Sequence, residues 1–141
     1  MNDIEKLEMV HNRHEKLHQN YERFTEMCWV ALRKGIKLII ENPYTQPHYL
    51  TRYFPIEPKF IDSDRTKRGD WYRKPTQYWF LNCNPRHNLI FEPMVIRQRK
   101  VVDHPDESDN AERARERSEI SPEYANRFIR EFIITQKEGE E

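Results

Sequence analysis

A chain of 141 residues that is 36% hydrophobic and 34% charged, with mean hydropathy −1.05, has room for one domain or a piece of a larger one, around a thin core. Its 12% aromatic content argues against full disorder, and no apolar run approaches the roughly 20 residues of a membrane span. The opening MNDIEKLEMV lacks the basic and apolar blocks of a secretion signal, and two isolated cysteines, Cys28 and Cys83, form neither a disulfide framework nor a metal spacing. These features fit a protein of the reducing cytoplasm with no membrane partner.

The net charge of zero hides a segregation. Residues 48–100 carry 11 Lys/Arg against 5 Asp/Glu, whereas residues 101–141 carry 6 against 12. A basic central block with interleaved aromatics is the electrostatic footprint of phosphate contact. It is equally the pattern of a solvated surface whose charges pair with an acidic tail.

Residues 3–34 read as one helix. Leu7, Val10, His14, Leu17, Tyr21, Phe24, Cys28 and Ala31 recur in steps of three and four, neither Gly nor Pro intervenes, and Gly35 supplies a left-handed stop. So regular a heptad also fits a short coiled coil. The compact apolar run Ile36–Ile40 then reads as a strand buried on both faces, followed by a polar turn at Glu41-Asn42-Pro43-Tyr44. Helix, glycine, buried strand and turn is the grammar of an α/β sheet, in which ligands lie outside the carboxyl ends of the strands.

A short helix is expected over 46–54, a strand at Phe60–Asp62, a loop over 63–75, a second strand at Gln77–Asn82, and one more extended pair within Asn88–Arg99. Residues 101–117 read as a mobile acidic linker. Ser121-Pro122 opens a closing helix over 121–136, with Ala125, Phe128, Ile129, Phe132 and Ile133 on its apolar face.

Three stretches together carry a family resemblance. The string LIIENPYTQPHYLTRYF contains a buried strand ending in Glu41-Asn42-Pro43, GDWYRKPTQYWF spans residues 69–80, and RSEISPEYANRFIREFI spans residues 117–133. In this order they resemble the carboxy-terminal part of the DNA cytosine-5 methyltransferases, in particular the phage and gut-bacterial branch labelled DNA methylase. The resemblance implies an α/β, partial Rossmann-like methyltransferase fold as a single domain over 1–141. It implies Glu41 as the carboxyl group that holds the flipped-out cytosine and favours its protonation, with Asn42, Pro43 and Tyr44 beside the base. The basic block then offers DNA contacts: Arg65, Lys67, Arg68, Arg73 and Lys74 to phosphates, Trp71 and Tyr72 as stacking surfaces, Thr76 and Gln77 to backbone or base edge.

The departures from the family pattern are as informative. The parent family uses S-adenosylmethionine, held by a glycine-rich loop after its first strand, and a nucleophilic Cys preceded by Pro. The only glycines here are Gly35, Gly69 and Gly139, Cys28 follows Met27 within a helix, and Cys83 lies downstream of Glu41. Arg117-Ser118 stands where Gly-Asn is usual. No cofactor is therefore expected to bind this chain alone; a separate chain or an amino-terminal half would have to complete the site, and the chain by itself should be inactive. Three other readings remain. Asn42-Pro43-Tyr44 echoes the Asp/Asn-Pro-Pro-Tyr turn of methyltransferases acting on exocyclic amines, and the basic aromatic block also suits a non-enzymatic nucleic-acid-binding or interaction protein. A zinc hydrolase reading rests on His14-Glu15-Lys16-Leu17-His18, whose two histidines share a helix face but lack an evident third ligand.

Overall fold

A computed structural model describes residues 1–95 and 119–135. It is a mixed fold in which a long amino-terminal helix, a small three-stranded antiparallel sheet and a carboxy-terminal helix are the main elements. Helix α1 spans Asp3–Lys34, β1 Leu38–Pro43, α2 Tyr49–Tyr53, β2 Phe60–Asp62, β3 Thr76–Leu81 and α3 Pro122–Phe128. A single 3₁₀ turn, Arg65–Arg68, lies between β2 and β3, and α3 runs on as a π-helical turn over Ile129–Ile133. The strand order is β1-β3-β2. The chain divides into two compact units, one of residues 1–39 and 80–83, the other of residues 40–79 and 84–141.

In the first unit, α1 begins and ends on local chemistry. Asn2 and Glu5 form a capping box, each side chain accepting from the other's backbone N–H at 2.8 Å. Gly35, at φ +66°, ends the helix in the left-handed conformation expected of it. Asn82 is also left-handed, at φ 58°, and its Nδ2 donates to the carbonyls of Ala31 (2.8 Å) and Ile36 (2.9 Å). The Ala31 carbonyl already accepts from the Gly35 and Ile36 N–H groups, so the Asn82 side chain ties the chain after β3 to the helix end rather than filling an empty acceptor. Cys28 and Ala31 are the residues of α1 that are buried; burial pushes the Cys28 thiol up from its ordinary range.

In the second unit, β3 is covered on both faces. Its register on β2 is antiparallel, Phe60 opposite Tyr78 and Asp62 opposite Thr76. One face meets α3: the Tyr78 ring stacks on Phe128 at 4.3 Å, and Phe60 meets Phe132 at 4.3 Å. Residues of the other face meet α2 and the segment after it, with Trp79 edge-on to Phe54 and donating from Nε1 to the Ile56 carbonyl at 2.8 Å. The strand buried throughout is thus β3, not β1.

Several expectations are corrected. β1 starts at Leu38, not Ile36, and it is a half-buried border strand of an antiparallel sheet rather than the centre of a parallel one. Parallel pairing needs a crossover of a dozen or more residues, usually a helix, against the sheet; here β1 and β3 are joined through the five-residue α2 and the short β2. Glu41-Asn42-Pro43 is not a turn but the end of β1, because the Tyr44 N–H still pairs with the Pro75 carbonyl at 2.9 Å. The short helix begins at Tyr49, capped by His48. The expected loop over 63–75 contains the 3₁₀ turn, capped by Asp64 and closed by Gly69. The closing helix starts as expected at Ser121-Pro122, but Ile129 and Ile133 are exposed while Tyr124, Phe128 and Phe132 face inward. No strand occurs from Asn88 to Val95; the rest of that expected pair, and the expected linker at 101–117, lie outside the described residues.

Candidate functional site

The end of β1 is held from below by the start of β3. Gln77 Nε2 donates to the Pro43 carbonyl (3.1 Å) and to Thr51 Oγ1 (2.9 Å), which fixes the strand end against α2. With the Tyr44–Pro75 pairing, residues 43–44 and 75–77 form one brace. Above it, Glu41 is exposed, whereas Asn42, Pro43 and Tyr44 are half-buried. The Asn42 Oδ1 atom is buried and accepts no hydrogen bond among the described residues. A buried acceptor without a donor is costly in a folded chain, and such exceptions concentrate where a ligand supplies the missing group. Successive strand residues point to opposite faces of a sheet, so Glu41 and Asn42 lie on different sides of β1, and the Glu41 carboxylate is the exposed acceptor of the two.

The basic block divides sharply. Arg65 is 0% exposed: its Nη2 lies against the Asp70 carboxylate, Nη1 donates to Thr76 Oγ1 at 3.3 Å, and its guanidinium sits 4.6 Å over the Tyr124 ring. Arg68 pairs with Asp62 (3.1 Å) and Glu131 (2.9 Å). Burial opposes the Arg68 charge, but the Glu131 hydrogen bond and the Asp62 charge outweigh it and keep the guanidinium firmly protonated. Thr76 and Gln77 are buried and engaged as described. Of these four residues expected as DNA contacts, Arg65, Thr76 and Gln77 are buried, and Arg68 is half-buried with its guanidinium engaged by Asp62 and Glu131. Lys67, Tyr72 and Arg73 are exposed, and Trp71 and Lys74 are half-buried. The accessible part of the expected interface is therefore residues 67 and 71–74.

A buried polar network absorbs the inward cations and was missed from sequence. Tyr124 donates to Asp62 Oδ2 at 3.1 Å, and Tyr78 in turn reaches the Tyr124 hydroxyl at 2.6 Å. Burial raises both phenols, Tyr78 to about 12, with the Glu41 and Asp62 charges adding to the rise. Asp70 accepts from the Trp71 and Ser121 backbone N–H groups, and Ser121 Oγ donates to the Gly69 carbonyl at 2.7 Å. Hydrogen bonds from Thr66 hold the Asp64 carboxyl below its ordinary range. The available signal was the density of Asp and Arg in residues 62–70, read as surface when it was core.

Gly35 is a helix stop, and a Cβ added at Gly69 would lie 2.5 Å from Glu123 Cγ. An open cavity of about 480 Å³ beside it is lined by Trp71, Ser121, Glu123 and Asn126 among others. His14 and His18 are exposed on α1, His18 pairing with Glu22 at 4.0 Å and His11 with Glu15 at 3.3 Å. Among the described residues no three His, Cys, Asp or Glu side chains gather as a metal site. The zinc reading thus has two histidines on one face with no third ligand gathered beside them among the described residues. No helix among the described residues is long and apolar enough to cross a membrane. No family model matches the chain, and neither a curated protein nor a solved structure matches it.

Proposed function

We propose that this chain is the base-recognition part of a cytoplasmic DNA cytosine methyltransferase-like protein, with a partner chain or amino-terminal half supplying S-adenosylmethionine binding and the nucleophilic cysteine. The observation that carries the reading is the brace between Glu41–Tyr44 and Pro75–Gln77. It joins two of the three stretches on which the resemblance rests, and it leaves the Glu41 carboxylate exposed at the strand end. The third stretch, around Ser121 and Tyr124, is tied to the second through Gly69, Asp70 and Tyr78.

In this reading Glu41 receives the exocyclic amine and ring N–H of a protonated, extruded cytosine, with Asn42, Pro43 and Tyr44 beside the base. Lys67, Arg73 and Lys74 contact phosphates, while Trp71 and Tyr72 stack on unpaired bases. The chain positions a base and carries out no methyl transfer.

The test is fluorescence anisotropy on duplexes with a single bulged cytosine or bulged adenine. Binding should weaken with salt, and Lys67→Ala with Arg73→Ala should reduce the logarithmic salt slope by about 2, since each phosphate contact contributes about 0.9. The cytosine bulge should be preferred about tenfold, a 1.4 kcal/mol difference, and Glu41→Gln should remove that preference. Salt-independent binding, or an undiminished cytosine preference in Glu41→Gln, would sink the proposal. Salt-dependent binding with no base preference would leave a plain nucleic-acid binder.

A further inference from the structure

An open cavity of about 480 Å³ lies beside the first turn of α3, within the size range of small-molecule sites, roughly 300–1,000 Å³. Among the described residues its walls include Trp71, Val95, Ser121, Glu123 and Asn126, and no residue of β1. Trp71 holds contacts of its own within the chain and still borders the cavity. An indole and a valine at the walls suit a flat aromatic ligand.

The polar wall is held in place. Glu123 and Asn126 are three residues apart on α3, so they share a face of the helix. The Glu123 stem rests on Gly69, where an added Cβ would come within 2.5 Å of Glu123 Cγ. Glu123 Oε1 accepts from Arg127 Nε at 3.2 Å, and Oε2 accepts from none of the described residues. Asn126 Oδ1 accepts from Arg130 Nη1 at 3.5 Å, which leaves the Nδ2 donors unengaged among the described residues. The same two arginines tie down the stretch that ends at Val95. Arg127 Nη2 donates to the Glu92 carbonyl, and Arg130 pairs with the Glu92 carboxylate at 2.5 Å. A site whose walls are fixed beforehand spends less of its binding energy on ordering them.

We infer that this cavity binds a guanine base. Guanine presents two neighbouring donors, the ring N1–H and the N2 amine, and a carboxylate accepts both because each of its oxygens takes more than one hydrogen bond. Beside them the O6 carbonyl is an acceptor for Asn126 Nδ2. Adenine and cytosine set a ring acceptor next to their one amine, so the second carboxylate oxygen would meet a lone pair. Uracil and thymine flank their ring N–H with carbonyls and meet the same repulsion. A carboxylate beside an amide donor therefore selects guanine by what it repels as well as by what it holds. The source is a free nucleotide or an unpaired guanine in nucleic acid, which share this edge.

The test titrates the full chain with guanosine, inosine and adenosine 5′-monophosphates by calorimetry. Guanosine monophosphate should bind with a dissociation constant below about 1 mM. Inosine monophosphate, which lacks only the N2 amine, should bind about tenfold weaker, the loss of one hydrogen bond to a charged group. Adenosine monophosphate should bind weaker still. Glu123→Gln should cost guanosine monophosphate about tenfold and erase its advantage over inosine monophosphate, because the amide replaces one acceptor by a donor. Asn126→Asp, at an exposed position, should cost about tenfold by turning a carboxylate toward O6, with an unchanged circular dichroism spectrum. Glu57→Gln, exposed and outside the cavity walls, should change nothing. Displacement of guanosine monophosphate by a duplex with one bulged guanine assigns the site to nucleic acid, and failure to displace it assigns the site to the free nucleotide. No binding up to about 1 mM, equal binding of the guanosine and inosine nucleotides, or affinity indifferent to both Glu123→Gln and Asn126→Asp overturns the inference. The nucleotide titrations contain no cytosine, so they stand or fall separately from the test of Glu41.

Discussion

Replacing Arg65 by Met separates a structural arginine from a DNA-binding one. The Arg65 and Asp70 side chains are both 1% exposed, and Met approximates the volume of the Arg stem without its charge. Removing one member of a buried ion pair typically destabilises by about 3–5 kcal/mol, because the remaining charge stays buried without its counterpart. Asp70 keeps two hydrogen bonds, from the Trp71 and Ser121 backbone N–H groups, so the lower end, about 3 kcal/mol, is expected. With a urea m-value of about 2 kcal/mol/M, the unfolding midpoint should fall by about 1.5 M. Adding Asp70→Asn should recover part of that loss, since the orphaned charge is then gone. A midpoint shift below about 0.5 M, or weakened DNA binding with unchanged stability, would refute the assignment of Arg65 to the interior.

The same region yields two further predictions. Gly69→Ala should cost about 2 kcal/mol, from left-handed strain at φ +90° and displacement of Glu123, and should lower Tm by roughly 7 °C; adding Glu123→Ala should restore only the steric part, and an unchanged Tm would contradict the packing at Gly69. The raised phenols of Tyr78 and Tyr124 imply an alkaline loss of stability. The folded state holds their protons above pH 10, where the unfolded chain releases them. Stability should therefore be intact below pH 10 and fall as pH climbs toward about 12, by about 1.4 kcal/mol per pH unit for each phenol. Urea titrations across that window should show the slope, Tyr124→Phe should reduce it, and a flat profile would contradict the buried hydroxyl pair.

The parts legible in the sequence are those written in local chemistry. Gly35 ends α1 and Ser121-Pro122 starts α3 because both signals act within a few residues. β2 and β3 were legible from short β-rich runs, within a residue or two. What stayed hidden is pairing over distance. Arg68 looked like a phosphate ligand until Glu131, 63 residues away, was found beside it. Likewise the apolar face expected of α3 held Ile129 and Ile133 beside Phe128 and Phe132 but not Tyr124, and the rings of Phe60 and Tyr78 are what turn Tyr124, Phe128 and Phe132 inward. The brace between Pro43 and Gln77 is of the same kind, joining residues whose types suggested other tasks.

The seat of α3 has a consequence for how the chain avoids misfolding. Tyr124, Phe128 and Phe132 are spaced four apart, so sliding the helix by one turn, about 5.4 Å, would drop an aromatic ring back into most of the vacated sockets. Greasy contact alone scarcely tells the right seating from its neighbour. Ser121 on Gly69, Tyr124 on Asp62 and Glu131 on Arg68 do tell them apart, because a slid helix meets none of these partners. The polar groups act as notches on a key whose shank would otherwise turn at any depth.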